Sequence, residues 1–200
     1  MTGTHVVIYA GILLLVGGLL ALHRSIKGEP GAALARLGFA AALMGASIMS
    51  VSVVFEASFA TKVLVDSWAT AADKAIPFAV AEAVLLLSGS IFFWGFAIYG
   101  GVAPILYGLA IALTDFYPRW LGWVAVVVGA GNALIGIVVF DQGLSHHTMI
   151  LFVVFFIALN LWLQVMGVLM WRRAGAAAKS VEASSLASMT AGTRDIARIA

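Results

Sequence analysis

The fold class that this sequence predicts is all-α: a polytopic membrane helix bundle. Hydrophobic residues make up 63% of the chain and charged residues 10%, and the stretches 124–140 and 148–171 carry no Asp, Glu, Lys or Arg at all. A mean hydropathy of +1.09 exceeds what a water-soluble core of this size needs, so the solvent for these stretches is hydrocarbon. The 200 residues include no cysteine, which excludes disulfides, thiolate metal sites and thiol nucleophiles.

The first apolar run covers 6–22. Residues 1–5 lack the basic flank of a secretory signal, and Arg24 and Lys27 follow the run. That order predicts a retained first helix with its N-terminus outside. A second span at 37–55 follows Arg36, and two more are plain at 120–140 and 148–171.

The region between them admits two readings, because Glu82 is the single charge over 76–114. In one, a span at 91–114 is preceded by an extracytoplasmic helical cap over 56–90. In the other, two short spans turn at Gly100 and Gly101, giving six in all. Lys and Arg near span ends stay cytoplasmic, so they arbitrate. With five spans, Arg24, Lys27, Arg36, Arg119, Arg172, Arg173, Lys179, Arg194 and Arg198 share one side against Lys62 and Lys74, nine against two; with six the division is eight against three. Five spans is the expectation, with the C-terminus cytoplasmic and the protein in the cell membrane.

At about 1.5 Å per residue, 91–114 is long enough to cross the hydrocarbon. Pro104 within it predicts a kink. The cap has an amphipathic composition, Glu56, Lys62, Asp66, Asp73, Lys74 and Glu82 being spaced among Phe59, Val63, Leu64, Trp68 and Phe78, as in a helix pair lying on the bilayer or the bundle. Residues 1–173 therefore form a single transmembrane domain. The polar tail, 174–200, is expected to be disordered or a loose surface helix.

Gly122, Gly129 and Gly136 repeat at seven-residue spacing, as do Gly38 with Gly45 and Gly101 with Gly108. Small residues at this spacing let membrane helices approach closely, so these faces are expected to pack within the chain. Tyr117, Trp120, Trp123 and Trp171 stand beside arginines at span ends, the pattern of an interfacial aromatic belt.

Candidates for chemistry are few. Asn132 and Asn160 fall near the middle of adjacent antiparallel spans. An amide in hydrocarbon is costly unpaired, which predicts a bond between them or to a backbone carbonyl, with Gln164 one turn away as a third member. Glu56 and Glu82 are candidate functional carboxylates; with six spans Glu82 would lie inside the bilayer, and with five it faces water at the top of the bundle. His146, His147 and Asp141 combine imidazole with carboxylate, a chemistry suited to a divalent metal or to acid and base work. They sit on one connecting loop, and a solvated loop is the competing account. Asp115 and Arg119 bracket Pro118 and predict a local ion pair. No Gly-x-Ser-x-Gly elbow, His-Glu-x-x-His helix, phosphate-binding Gly-Lys-Ser loop or channel filter occurs, so no catalytic signature is present.

The stretch 108–123, Gly-Leu-Ala-Ile-Ala-Leu-Thr-Asp-Phe-Tyr-Pro-Arg-Trp-Leu-Gly-Trp, and the closing Gly167-Val168-Leu169-Met170-Trp171-Arg172-Arg173 resemble an uncharacterised family of bacterial multi-pass membrane proteins. In that family a span ends in a small residue and an aromatic, and Pro-Arg-x-Leu-Gly opens the next. The resemblance covers the C-terminal half. It implies a plasma-membrane bundle with the Pro-Arg turn and the tail inside, and no established activity.

The functional expectation is a non-enzymatic binding or accessory component whose partners are the bilayer and either a membrane protein or a small apolar ligand. The cofactor is unknown, and the cations, lying beside apolar segments, do not form a nucleic-acid surface. A membrane metal-binding protein or enzyme and a small transporter are the competing classes.

Overall fold

The computed structural model describes residues 3–143 and 145–199, with side chains outside 4, 60–63 and 177–199. Seven α-helices follow one another with no strand among the described residues: α1 Gly3–Ser25, α2 Gly31–Phe55, α3 Val65–Thr70, α4 Ala75–Phe96, α5 Ala103–Ala112, α6 Arg119–Gln142 and α7 His146–Ile199. Two π-helical segments, Glu56–Leu64 and Ala97–Val102, join α2 to α3 and α4 to α5. Five helical stretches are long and apolar enough to cross a membrane: His5–Ser25, Gly31–Phe59, Ala75–Ala112, Arg119–Gln142 and His146–Ala176.

The third of these settles the point on which two readings were open. Ala75–Ala112 is one helical stretch of 38 residues, and Gly100 and Gly101 lie inside it rather than at a turn. The six-span alternative fails on this continuity. Glycine costs helix propensity in water, but here its lack of a side chain admits a neighbour. A Cβ on Gly101 would lie 2.7 Å from Ala133 Cβ.

The sequence placed the start of this span at 91, whereas its helix begins at Ala75. The cap consequently differs from a separate amphipathic pair. Ser52, in the last turn of α2, donates from Oγ to the carbonyl oxygen of Ser88 at 2.7 Å, and Ser88 lies past the middle of α4. The early turns of α4 therefore stand beyond the end of α2. The π segment and α3 climb beside them, and 71–74 closes a helical hairpin that prolongs the second and third spanning helices.

The bundle is built from small residues inside and large ones outside. The buried face of α2 consists of Gly31, Ala35, Gly38, Ala41, Ala42, Gly45, Ala46, Met49, Ser52 and Val53, while Leu37, Leu43, Met44, Val51 and Val54 point outward. That is the pattern of a bundle held by close backbone approach within lipid. The glycine spacing is the means. Built Cβ atoms on Gly122, Gly129 and Gly136 would meet Gly108 O at 2.5 Å, Gly101 O at 2.7 Å and Ala97 Cβ at 2.7 Å. On the other side of the third helix, Gly38 meets Tyr107, and Gly45 lies against Gly95 and Tyr99.

Few polar bonds stitch these contacts. Tyr107 Oη, fully buried, donates to Leu19 O at 2.9 Å and ties α1 to the third helix. Trp162 Nε1 donates to Leu121 O at 2.9 Å and ties α7 to the start of α6. Aromatic edges complete the docking of α7, with Phe152 centred 5.3 Å from Phe93 and 5.1 Å from Phe96, within the range where such pairs attract.

The chain divides into two compact units, the second beginning at Leu163. In that second unit helix continues to Ile199, so the tail is helical. Trp171, Arg172 and Arg173 are exposed there; the side chains of Lys179, Arg194 and Arg198 lie outside the described residues. Trp120 and Trp123 are exposed as a belt requires, but Tyr117 is only 3% exposed. Its hydroxyl shares a 2.9 Å hydrogen bond with Ser25 Oγ, so it seals the junction of α1 with the 113–118 loop instead of facing an interface.

Candidate functional site

The hairpin closed by 71–74 encloses a largely apolar hollow. Its construction starts where α2 widens into π geometry at Glu56. A π turn takes more residues than an α turn and displaces the side chains that follow from a 3.6-residue period; such segments recur at functional sites. Leu64, Val65 and Trp68 descend one wall, and Phe78, Ala81 and Leu85 rise on the other. The second set falls on one face of α4 at i, i+3 and i+7. Glu56, at the base, is the sole ionisable residue of the lining among the described residues, and the hollow measures about 490 Å³.

The tip of the hairpin is fastened by charge. Lys74 Nζ donates to the carbonyl oxygens of Trp68 at 2.5 Å and Ala69 at 3.1 Å, meeting carbonyls that the end of α3 leaves without helical partners. The same ammonium stands 4.9 Å from the centre of the Trp68 ring, a cation–π distance. Asp73 Oδ1 accepts the backbone N–H of Ala75 at 2.9 Å, a favourable charge at the start of α4. Trp68 is thereby held as a fixed wall, although it is 49% exposed.

Glu56 is half-buried, and no hydrogen bond or ion pair engages its carboxylate among the described residues. The side chain of Lys62 lies outside the described residues. Glu82 follows Ala81 yet does not line the hollow, and its side chain is exposed. The structure thus separates the two carboxylates that the sequence grouped together.

The other candidates do not assemble into sites. Asn132 is fully buried, and its Nδ2 donates to Val128 O at 3.0 Å and to Phe155 O at 3.3 Å, so it takes the backbone-carbonyl alternative. Asn160 Nδ2 donates to Phe156 O at 2.8 Å on its own helix, and Gln164 is exposed. No bond joins the two asparagines. Asn132 Oδ1 is buried without a partner, but Asn132 does not line the hairpin hollow.

Asp141, His146 and His147 are exposed, and among the described residues no group of three or more His, Asp or Glu is placed to hold a metal ion. The physical reason lies at the start of α7. Ser145 Oγ accepts the N–H of Thr148 at 3.2 Å while Thr148 Oγ1 accepts the N–H of Ser145 at 2.8 Å, a reciprocal cap that starts the helix at His146. The two imidazoles consequently occupy consecutive positions in a first helical turn, with ring centres 6.0 Å apart and planes at 78°. They diverge rather than converge. Asp115 and Arg119 do pair, at 2.8 Å.

A second hollow of about 270 Å³ lies between α6 and α7, lined by Gly131, Leu134, Ile135, Val138, Thr148, Leu151 and Phe155. Thr148, its single polar residue among those described, is engaged in the helix cap.

Sequence reasoning singled out Glu56, Trp68 and Phe78 but assigned the last two to an amphipathic surface. Their convergence had no signal in a 3.6-residue period, because the π segment lies between Glu56 and Trp68. Comparison of the chain with protein-family models, with curated proteins and with solved structures gave no match.

Proposed function

We propose that this protein is a non-enzymatic binding component of the cell membrane that takes a small, largely apolar molecule into the hollow between α3 and α4. The single observation that carries this reading is the hollow itself. At about 490 Å³ it falls in the size range of small-molecule sites, and apolar walls with one polar group are the usual lining of such sites. A small apolar ligand is favoured over a membrane-protein partner because the feature is concave.

The orientation that goes with this reading places the hairpin outside and the Arg119 turn in the cytoplasm. It is supported by the charges of the first unit. The hairpin end carries Glu56, Asp66, Asp73, Glu82 and Asp141 against Lys62 and Lys74, whereas the opposite end carries Arg24, Lys27, Arg36 and Arg119 against Glu29 and Asp115. Cations collect on the cytoplasmic side. Membership of the bacterial multi-pass family that 108–123 resembles belongs to the same proposal.

The test is equilibrium binding of pyrene, a neutral apolar probe, to the full chain in phosphatidylcholine nanodiscs, read by energy transfer from tryptophan. Saturable binding that Ala81→Phe weakens, by filling the hollow, is the expected result. Identical titrations for the parent and Ala81→Phe would remove the hollow as the site.

A further inference from the structure

Resting on that reading, we infer that the hollow selects a lipophilic cation, a molecule with an apolar body and one positive charge, with Glu56 as its counter-ion. Three features of this site converge on that chemistry. Among the described residues Glu56 is the one ionisable member of an otherwise apolar lining, and its carboxylate is free of hydrogen bonds and ion pairs there. A carboxylate beside apolar walls interacts with a cation more strongly than one in open water does, because the local dielectric is lower.

Aromatic walls are the second feature. Trp68 and Phe78 line the hollow, and aromatic faces attract cations through the ring quadrupole. The Trp68 ring already takes a cation in this structure, since Lys74 Nζ stands 4.9 Å from its centre. That ammonium is engaged with the carbonyls of Trp68 and Ala69, which holds it at the hairpin tip and away from neutralising Glu56.

The third feature is the charge of the hairpin. Over 56–82 four carboxylates, Glu56, Asp66, Asp73 and Glu82, stand against Lys62 and Lys74. An anionic amphiphile meets repulsion at this end, and a neutral lipid chain leaves the Glu56 carboxylate without a counter-charge. Only a cation with an apolar body uses both parts of the lining.

Tetraphenylphosphonium is the probe, because its charge is independent of pH and it donates no hydrogen bond; tetraphenylborate is its anion of matching shape. Binding of each to the full chain in zwitterionic nanodiscs is compared with pyrene binding, for the parent, Glu56→Gln, Glu56→Asp and Glu82→Gln. The expected result is phosphonium binding that Glu56→Gln weakens by about tenfold or more, with Glu56→Asp and Glu82→Gln close to the parent and borate binding weak throughout. Unchanged pyrene binding by Glu56→Gln certifies an intact hollow.

If pyrene binds but phosphonium affinity is insensitive to Glu56→Gln, or borate binds equally well, the cation inference falls and the apolar site stands. If the parent binds neither probe, both fall.

Discussion

Gly108 and Gly122 face each other reciprocally across the third and fourth spanning helices: a Cβ on either would lie 2.5 Å from the carbonyl oxygen of the other. Neither side can yield by rotating a side chain, since the obstructing atoms are backbone. Gly122→Ala should therefore force the helices apart and cost about 1–3 kcal/mol, as overpacking does elsewhere. Gly17→Ala and Gly18→Ala, where nothing lies within 4 Å, should change stability by no more than about 0.5 kcal/mol. Unfolding in detergent micelles by a titrated denaturant measures all three.

A second prediction concerns the buried tyrosine between α1 and the third helix. Tyr107→Phe removes the hydroxyl that reaches Leu19 O while keeping the ring that packs on Gly38. The expected loss is about 0.6 kcal/mol, the mean found for interhelical bonds in membranes. The same unfolding assay reports it, and α1 should loosen first. A cysteine at Leu22, 2% exposed in the parent, should then react faster with a thiol reagent.

Asn132 gives an asymmetric pair. Its amide donates twice, yet Oδ1 has no partner. Asn132→Leu removes the orphaned oxygen together with both bonds, and should fall within about 1 kcal/mol of the parent because the freed groups are carbonyl oxygens of helices. Asn132→Asp leaves a buried carboxylate facing carbonyls and should cost about 3 kcal/mol or more. Expression level and denaturant midpoint in micelles separate the two variants.

How much of this was legible in the sequence follows from which contacts are periodic. The seven-residue glycine spacing led directly to the packed faces, because one helix face suffices to define them. Five spanning helices and the Asp115–Arg119 pair were equally readable. The start of the third helix was not, since Glu82 and the two glycines at 100–101 mark breaks in water but not in a packed membrane helix. Asn132 and Asn160 show a second limit. Adjacent antiparallel helices match depth, but depth leaves rotation about the axis undetermined, and Asn160 bonds to its own helix. Tyr117 looks like a belt residue by position and is a buried plug by packing. The hollow joins residues across a π-helical segment, whose register no regular period predicts.

Two exposed ion pairs should matter little to stability. Glu29 meets Arg36 at 2.7 Å and Asp115 meets Arg119 at 2.8 Å, with side chains more than half exposed in each case. A double-mutant cycle on either pair should give a coupling of about 0–1 kcal/mol that shrinks as salt is added. A larger coupling would mean that the pair is shielded from water in the membrane.

Ala75–Ala112 is one continuous apolar helix, long enough for a single crossing of the bilayer and so for five crossings in all. Because the protein has no cysteine, single cysteines introduced at Gly28, Ala72, Asp115 and Ser145 can be labelled in intact cells with a membrane-impermeant maleimide. The expected result is labelling of Ala72→Cys and Ser145→Cys from outside, and of Gly28→Cys and Asp115→Cys only after permeabilisation. Labelling of Ala72→Cys and Asp115→Cys from the same side would contradict it.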